Sequence, residues 1–433
     1  MASHHERRQG RWLWALGGLL CLGPACKEDP APSGDTDGQT TGADTGASTG
    51  SAMLPEGCDL FVAADVADHQ TAVQEALIDV QTGQTVCLGA GTFSFTRQLS
   101  LDADGVVLRG EGDETVLDFS GQISGGNGLL VTGNDVTIET LRITDTPGDG
   151  IRADNVENIT FDGVSVIWPE AQSLDSGAYG LYPVQSNGVT VRNCLVEGSR
   201  DAGIYVGQST NILVEDNEAR GNVAGIEIEN STDAIVRRNW AHDNTGGILV
   251  FNLPGLDIGD GKRTNVYENV VENNNIPNFG EPGTAVSLIP AGIGVIVLAA
   301  DDNEIWGNEI RGNASTGVVV IAYIDELFAP PEDPSFDIYA EGNYVHGNTF
   351  DGNGTTPHDL IVLLTGGADP PPDIIFGGCF DAAKDNGDGS LSNCVSDIGT
   401  ASFMNVDVCG QGMGIDTMVE TYTCTHDPLP TDL

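Results

Sequence analysis

Basic residues are scarce in this sequence: 17 Lys and Arg against 64 Asp and Glu in 433 residues leave a net charge of −47. Binding a phosphate backbone or an anionic membrane face would work against like charge, which argues against nucleic acid and membrane-surface partners. Aromatic residues make up only 6%, and methionines number five. Beyond the N-terminal segment the histidines are His69, His242, His346, His358 and His426, a thin supply of imidazole that disfavours a copper carrier. There is no C-x-x-C or Cys/His spacing for zinc, and no C-x-x-C-H for covalent haem. No apolar run approaches the ~20 residues of a membrane span. Collagen's three-residue period is missing too, although glycine, at 58 residues, is about twice its usual ~7% share. Tight turns are the use that remains for it, and 39% apolar residues supply a substantial core.

The first residues read as an address. Arg7, Arg8 and Arg11 precede the apolar run from Trp12 to Leu22, which predicts a signal peptide over 1–25. Gly23-Pro24-Ala25-Cys26 resembles a bacterial lipoprotein processing site, with Gly23 where leucine is the usual residue. Lipidation of Cys26 is the expectation, and plain cleavage after Ala25 the alternative. The Gly/Thr/Ser/Asp/Pro tract that follows, 26–57, suits a flexible tether. Such a chain is expected in the periplasm or at the outer membrane, touching a membrane only through its lipid. Export makes the cysteines legible as disulfides. Cys379, Cys394, Cys409 and Cys424 recur every 15 residues and predict two bridges with open connectivity, while Cys58 and Cys87 are placed to pair. Cys194 is left over.

The middle of the chain repeats. Gly128, Gly150, Gly180, Gly203, Gly225, Gly247, Gly294 and Gly317 each open a Gly-apolar-x-apolar unit, with a period of 22 to 23 residues broken by insertions. Within a unit, apolar residues alternate, as in Ile204/Val206 and Ile226/Ile228, and a second short strand such as Ile212-Leu213-Val214 follows. Units close on Asn-x4-Asn: Asn217/Asn222, Asn239/Asn244, Asn269/Asn274, Asn308/Asn313 and Asn348/Asn353. Leucine-rich repeats share the period, but they need a leucine consensus and a helical return that are absent here. The pattern predicts an all-β fold, a single-stranded right-handed parallel β-helix of roughly ten coils stacked at about 4.8 Å. The asparagines would then form ladders between coils, with Cys194 as a buried residue at the same turn position. Open ends of a solenoid would aggregate. The helical spacing of 71–80 predicts an N-terminal helical cap. The β-helix is expected over 58–354, and a disulfide-rich C-terminal capping module over 355–433.

Longer motifs add a resemblance. Gly177-Ala178-Tyr179-Gly180-Leu181-Tyr182-Pro183-Val184-Gln185-Ser186, Asp201-Ala202-Gly203-Ile204-Tyr205-Val206-Gly207-Gln208-Ser209 and Asn222-Val223-Ala224-Gly225-Ile226-Glu227-Ile228-Glu229-Asn230 carry it. The segment Gly247 to Leu256 and Asn278-Phe279 continue it. Together they resemble the bacterial parallel β-helix domain-containing envelope proteins, usually exported or lipidated, within the pectin-lyase-like superfamily. The likeness covers roughly 58–408. It implies a diheme c-type cytochrome as a gene neighbour, but it implies no reaction, so it assigns no catalytic residue.

Stacking the coils in register shows what faces outward. Two residues after successive glycines stand Arg152, Tyr182, Tyr205, Glu227 and Leu249; four after stand Asp154, Val184, Gly207, Glu229 and Phe251. Five after is a row of amides: Asn155, Gln185, Gln208, Asn230 and Asn252. Asp201 precedes Gly203 by two. Insertions at 168–178 and 252–263 flank this patch and are expected to wall a groove. Tyrosine faces, amides and carboxylates suit a polyhydroxylated ligand, so carbohydrate binding or processing is the leading expectation. The candidate catalytic residues are Tyr182, Tyr205, Glu227, Glu229, Asp201 and Arg152. The carboxylates allow acid–base glycoside hydrolysis, and Glu227, Glu229 and Asp201 are also the candidate calcium ligands. Uronate lyase or epimerase work would use Tyr182 or Tyr205 as base and Arg152 as neutraliser, against the repulsion between an acidic protein and a polyanion. The competing class is a non-catalytic scaffold docking a basic c-type cytochrome. The plain alternative is a solvated acidic face with no ligand. His242 reads as a structural, solvent-facing residue, and Asp385 to Ser390 as a turn.

Overall fold

The structure, a computed structural model, describes residues 54–170, 172–328, 330–410 and 412–433. The export segment, Cys26 and nearly all of the tether lie outside the described residues.

Alternation with period two, interrupted every few residues by a left-handed turn, folds the chain into a right-handed parallel β-solenoid. Its three sheets hold 12, 11 and 10 strands, every pairing parallel. One coil illustrates the local logic. Ala202–Gly207 turns at Gln208 (φ 51°) into Thr210–Glu215, which turns at Asp216 (φ 57°) into Glu218–Arg220. Inward residues Ile204, Val206, Ile212, Val214 and Ala219 are wholly buried in one continuous core.

The asparagines form two ladders through this core. Amide Nδ2 atoms donate along Asn217, Asn239, Asn269, Asn308 and Asn348 at 2.8–3.0 Å. A second ladder follows Asn222, Asn244, Asn274, Asn313 and Asn353 at 2.9–3.3 Å. Each acceptor oxygen also takes the backbone N–H of the previous asparagine, as Asn239 does from Asn217 at 3.0 Å. Cys194 heads the first ladder: its N–H donates to Asn217 at 2.9 Å, and its thiol is free and buried. Asn303, Asn343 and Asn393 build a third ladder that the repeat did not announce.

Both ends are closed. The helix His69–Asp79, capped by Asp68 accepting from Thr71, buries Val73, Ala76 and Leu77 against the first coils. Its Gln70 and Gln74 accept the N–H groups of Thr96, Arg97 and Ser100, on and beside the edge strand Arg97–Leu101. At the other end the expected boundary at 354 is not a break in the sheets: Ile374–Phe376, Cys394–Ser396 and Phe403–Asn405 pair onto them. Those strands lack the Gly-apolar-x-apolar opening and the Asn-x4-Asn pair, so the repeat could not reveal them, although Asn393 continues the third ladder beside Cys394–Ser396. Disulfides join Cys58–Cys87, Cys379–Cys409 and Cys394–Cys424. Three bridges are the mark of an exported protein. Among the described residues no helix is long and apolar enough to cross a membrane.

Replacing Asn239 by alanine strands the Asn217 N–H in a dry interior and removes a donor to Val214 as well. At about 1–3 kcal/mol per orphaned buried group, Asn239→Ala should cost about 2–4 kcal/mol. Urea unfolding followed by circular dichroism checks this; a loss under about 0.5 kcal/mol, the scale of an ordinary surface change, would show that the ladder does not stabilise the stack.

Candidate active site

The 11-stranded sheet carries the outward rows. Its register pairs Arg152 with Tyr182, Tyr205 with Glu227, Glu227 with Leu249, and Gly207 with Glu229. Tyr179, which immediately precedes Gly180, joins Tyr182 and Tyr205 in a triangle of rings with centroids 4.5 to 4.8 Å apart. A side chain at Gly207 would collide with the Tyr205 ring, so glycine there lets the ring lie along the strand. The Tyr205 hydroxyl can then donate to Glu229, and the Tyr179 hydroxyl to Asp201.

These groups form one end of a cavity of about 770 Å³ on the outer face of the solenoid. Asp201, Glu227, Glu229, Tyr179 and Tyr205 line it, whereas Tyr182 and Arg152 stand beside it. The Arg152 guanidinium lies 5.0 Å over the Tyr182 ring and binds Asp154 at 2.8 Å. Arg200, on the coil of Asp201, pairs with Glu281. The amide row expected to meet a ligand does something else. Gln185 donates to Asp257, Gln208 accepts from the Asp257 N–H, Asn230 holds Leu253 and Ile258, and Asn252 closes on Gly261. Four of these positions are left-handed turns, with φ of 45–54° at Asn155, Gln185, Gln208 and Asn230. The amides therefore tie the 253–261 insertion to the sheet.

Burial sets the electrostatics. Asp201 is pushed up to about 8 by desolvation, eased by its bond from Tyr179. Glu229 rises to about 7 by burial, with the Tyr205 bond opposing. Glu227, 2% exposed, is pushed far higher by burial and by the charges of Asp201 and Glu229, and its Oε1 has no partner. Asp149, on a neighbouring strand, rises to about 6 through burial. The tyrosines move away from being bases: burial lifts Tyr182 to about 12 and pushes Tyr179 and Tyr205 well above the ordinary phenol value.

The calcium expectation meets a different arrangement. Among the described residues, the carboxylates whose oxygens all lie within 4.8 Å of one another are Asp301, Asp337 and Glu341. Asp201, Glu227 and Glu229 are not gathered so closely, because Glu229 is turned to Tyr205. Lys384 already sits on Asp337 and 3.8 Å from Glu341. His242 is buried and not solvent-facing, stacked on Trp240 at 3.8 Å with Asp243 at 2.7 Å. Asp385–Ser390 is a turn closed by Asp385 and Asp388 on backbone N–H groups.

Sequence reasoning missed Tyr179, Asp149 and most of the cavity wall. Among the described residues, the insertion at 168–178 contributes none to the lining; the wall comes from 284–290, 324–328, 360–366 and 406–415. A signal was present: the outward positions after Gly294 and Gly317 are Ile296/Leu298 and Val319/Ile321, aliphatic where a solvated coil would be polar.

The acids release protons more readily unfolded than folded, so their contribution to stability is complete below about 3.8 and is lost as pH rises toward about 8 at Asp201. Asp201→Asn should therefore raise Tm at pH 9 by more than at pH 5 and flatten the decline between them. Scanning calorimetry across that range checks it, and parallel wild-type and variant curves would contradict it.

The family model described as right handed beta helix region matches residues 127–274. No curated protein matches the chain by sequence. Among solved structures the chain is similar to the A-modules of two mannuronan C-5 epimerases of Azotobacter vinelandii, AlgE4 and AlgE6. Each is 18% identical over 77% of this chain and 91% of its own, with TM-scores of 0.51 and 0.52. Identity at that level speaks for the fold and not for the activity. The chain therefore has the right-handed parallel β-helix fold, which the family model matches over residues 127–274 and which the two epimerase modules share.

Proposed function

We propose that this exported β-helix protein binds and processes a carbohydrate at the acid–tyrosine end of the cavity. The observation that carries the reading is the convergence of Asp201, Glu227 and Glu229 with Tyr179 and Tyr205 on three adjacent coils of one open site. Carboxyls that keep their protons near neutrality donate as well as accept, which matches sugar hydroxyls, and the phenol rings offer flat apolar faces. Proton transfer is then the chemistry at hand, with Asp201 as acid and Glu229, poised about 7, as base. The fold likeness to mannuronan epimerases is compatible with a saccharide substrate.

A neutral glycan fits better than a uronate polymer. The solenoid is strongly acidic, and the tyrosines that a lyase or epimerase would deprotonate hold their protons more tightly than free tyrosine does. Nothing in the fold or the comparisons supports the cytochrome-docking scaffold.

A panel of neutral and anionic oligosaccharides, read by calorimetry and by product analysis, tests the reading. The expected result is saturable binding of a neutral saccharide and turnover that Glu229→Gln lowers about 10²–10⁴-fold with binding retained. Absence of binding and cleavage across the panel would overturn it.

A further inference from the structure

Only one end of the cavity is polar. Beyond Glu227 and Glu229 the outward rows continue as Leu249/Phe251, Ile296/Leu298 and Val319/Ile321, in register along the same sheet. Outward positions in an acidic solenoid are normally charged or polar, as Arg152 and Asp154 are on an earlier coil. Insertions roof this apolar strip: the 284–289 segment, the short helix Asp325–Phe328, the helix Asp359–Leu364 and the 406–415 loop. Their contributions are aliphatic as well, among them Val286, Ile289, Leu360 and Ile361. The roof does not seal the strip. Leu288, Leu363 and Ile415 line the same cavity and stay 46%, 63% and 43% exposed.

Such a trough offers a saccharide chain no hydrogen bonds, and its size is that of a small-molecule site. From Tyr205 to Val319 it runs four strand spacings, about 19 Å at about 4.8 Å each. At its polar end the buried Glu227 Oε1 lacks a partner, so a donor is missing from the site as it stands. A ligand with one hydrogen-bonding head and one long apolar tail satisfies both halves. The surrounding acids disfavour an anionic head.

Resting on the carbohydrate reading above, we infer that the substrate is a saccharide carrying a long alkyl or acyl tail, with its hydroxyls at Glu227, Glu229 and Asp201 and its tail along Leu249, Ile296 and Val319. The tail supplies most of the affinity, because each methylene leaving water tightens binding about fourfold. The head is what the carboxyls and tyrosines act on.

Titration with n-alkyl glucosides and maltosides of increasing chain length, below their micelle concentrations, tests this against glucose, maltose and alkylammonium salts of the same lengths. The expected result is a steady gain of about fourfold per methylene for the glycosides. Ile296→Asp should abolish that gain, and Leu363→Ser, on the exposed rim, should reduce it without disturbing the fold. Free saccharides binding as tightly as their alkyl glycosides would overturn the tail while leaving the carbohydrate reading standing. Alkylammonium salts binding at least as tightly as the glycosides, and losing that affinity in Glu227→Gln, would overturn the saccharide head and the carbohydrate reading with it. If no chain length binds, the inference fails, and the oligosaccharide panel alone decides the reading.

Discussion

Everything distinctive about this molecule depends on coils stacking in register, so that each residue lies about 4.8 Å from its counterpart on the next coil. The constraint comes from inside. Asparagine ladders at two turns allow little slippage, because a shift of one residue would leave buried amides and backbone N–H groups unpaired. With the interior fixed, the outside is fixed as well. Residues 22 or 23 apart in sequence become neighbours, and a row of outward side chains becomes a surface whose chemistry can change along the solenoid axis.

That change of chemistry is the second organising fact. Residues 58–433 carry a net charge of −44, and for most of the solenoid the acids face water, many paired with arginines on adjacent strands. Where insertions cover the 11-stranded sheet, a group of carboxyls becomes buried. There Asp201, Glu227 and Glu229 lose solvent without gaining a buried cation among them, and the response is to keep protons. The phenols beside them stay protonated for the same reason, which moves the site toward carboxyl chemistry and away from a phenolate base. Immediately beyond, the sheet turns aliphatic, so a proton-holding polar end and an apolar trough share one cavity.

The fold was legible because its determinants are local and repeated. Gly203, Gly225 and Gly247 announce the coils, and Asn217, Asn239 and Asn269 announce the ladder. Counting from those glycines places Tyr205 beside Glu227, and Gly207 beside Glu229. The same counting misread the amides, because Gln208 and Asn230 occupy left-handed turn positions and hold an insertion, and sequence shows residue type but not what a turn already uses. The cavity roof was illegible for a different reason. Segments such as 284–289 and 406–415 lie outside the repeat, and where they fold back is set by tertiary packing on Ile296 and Val319. Those two residues, with Leu298 and Ile321 beside them, are outward yet aliphatic, and they are the trace of the roof that the sequence carried. The C-terminal strands were hidden likewise, since pairing onto an existing edge needs neither the opening glycine nor the Asn-x4-Asn pair.

The central claim is that register and roof together hold protonated carboxyls in the site at neutral pH. Infrared spectroscopy of the carboxylic acid carbonyl stretch, in wild type and in Glu227→Gln and Asp201→Asn, tests it most directly. The account predicts a protonated-carboxyl band that persists at pH 7, weakens in each variant, and loses its Asp201 component as pH rises through about 8. A wild-type spectrum at pH 7 without that band, or one that both variants leave unchanged, would contradict it.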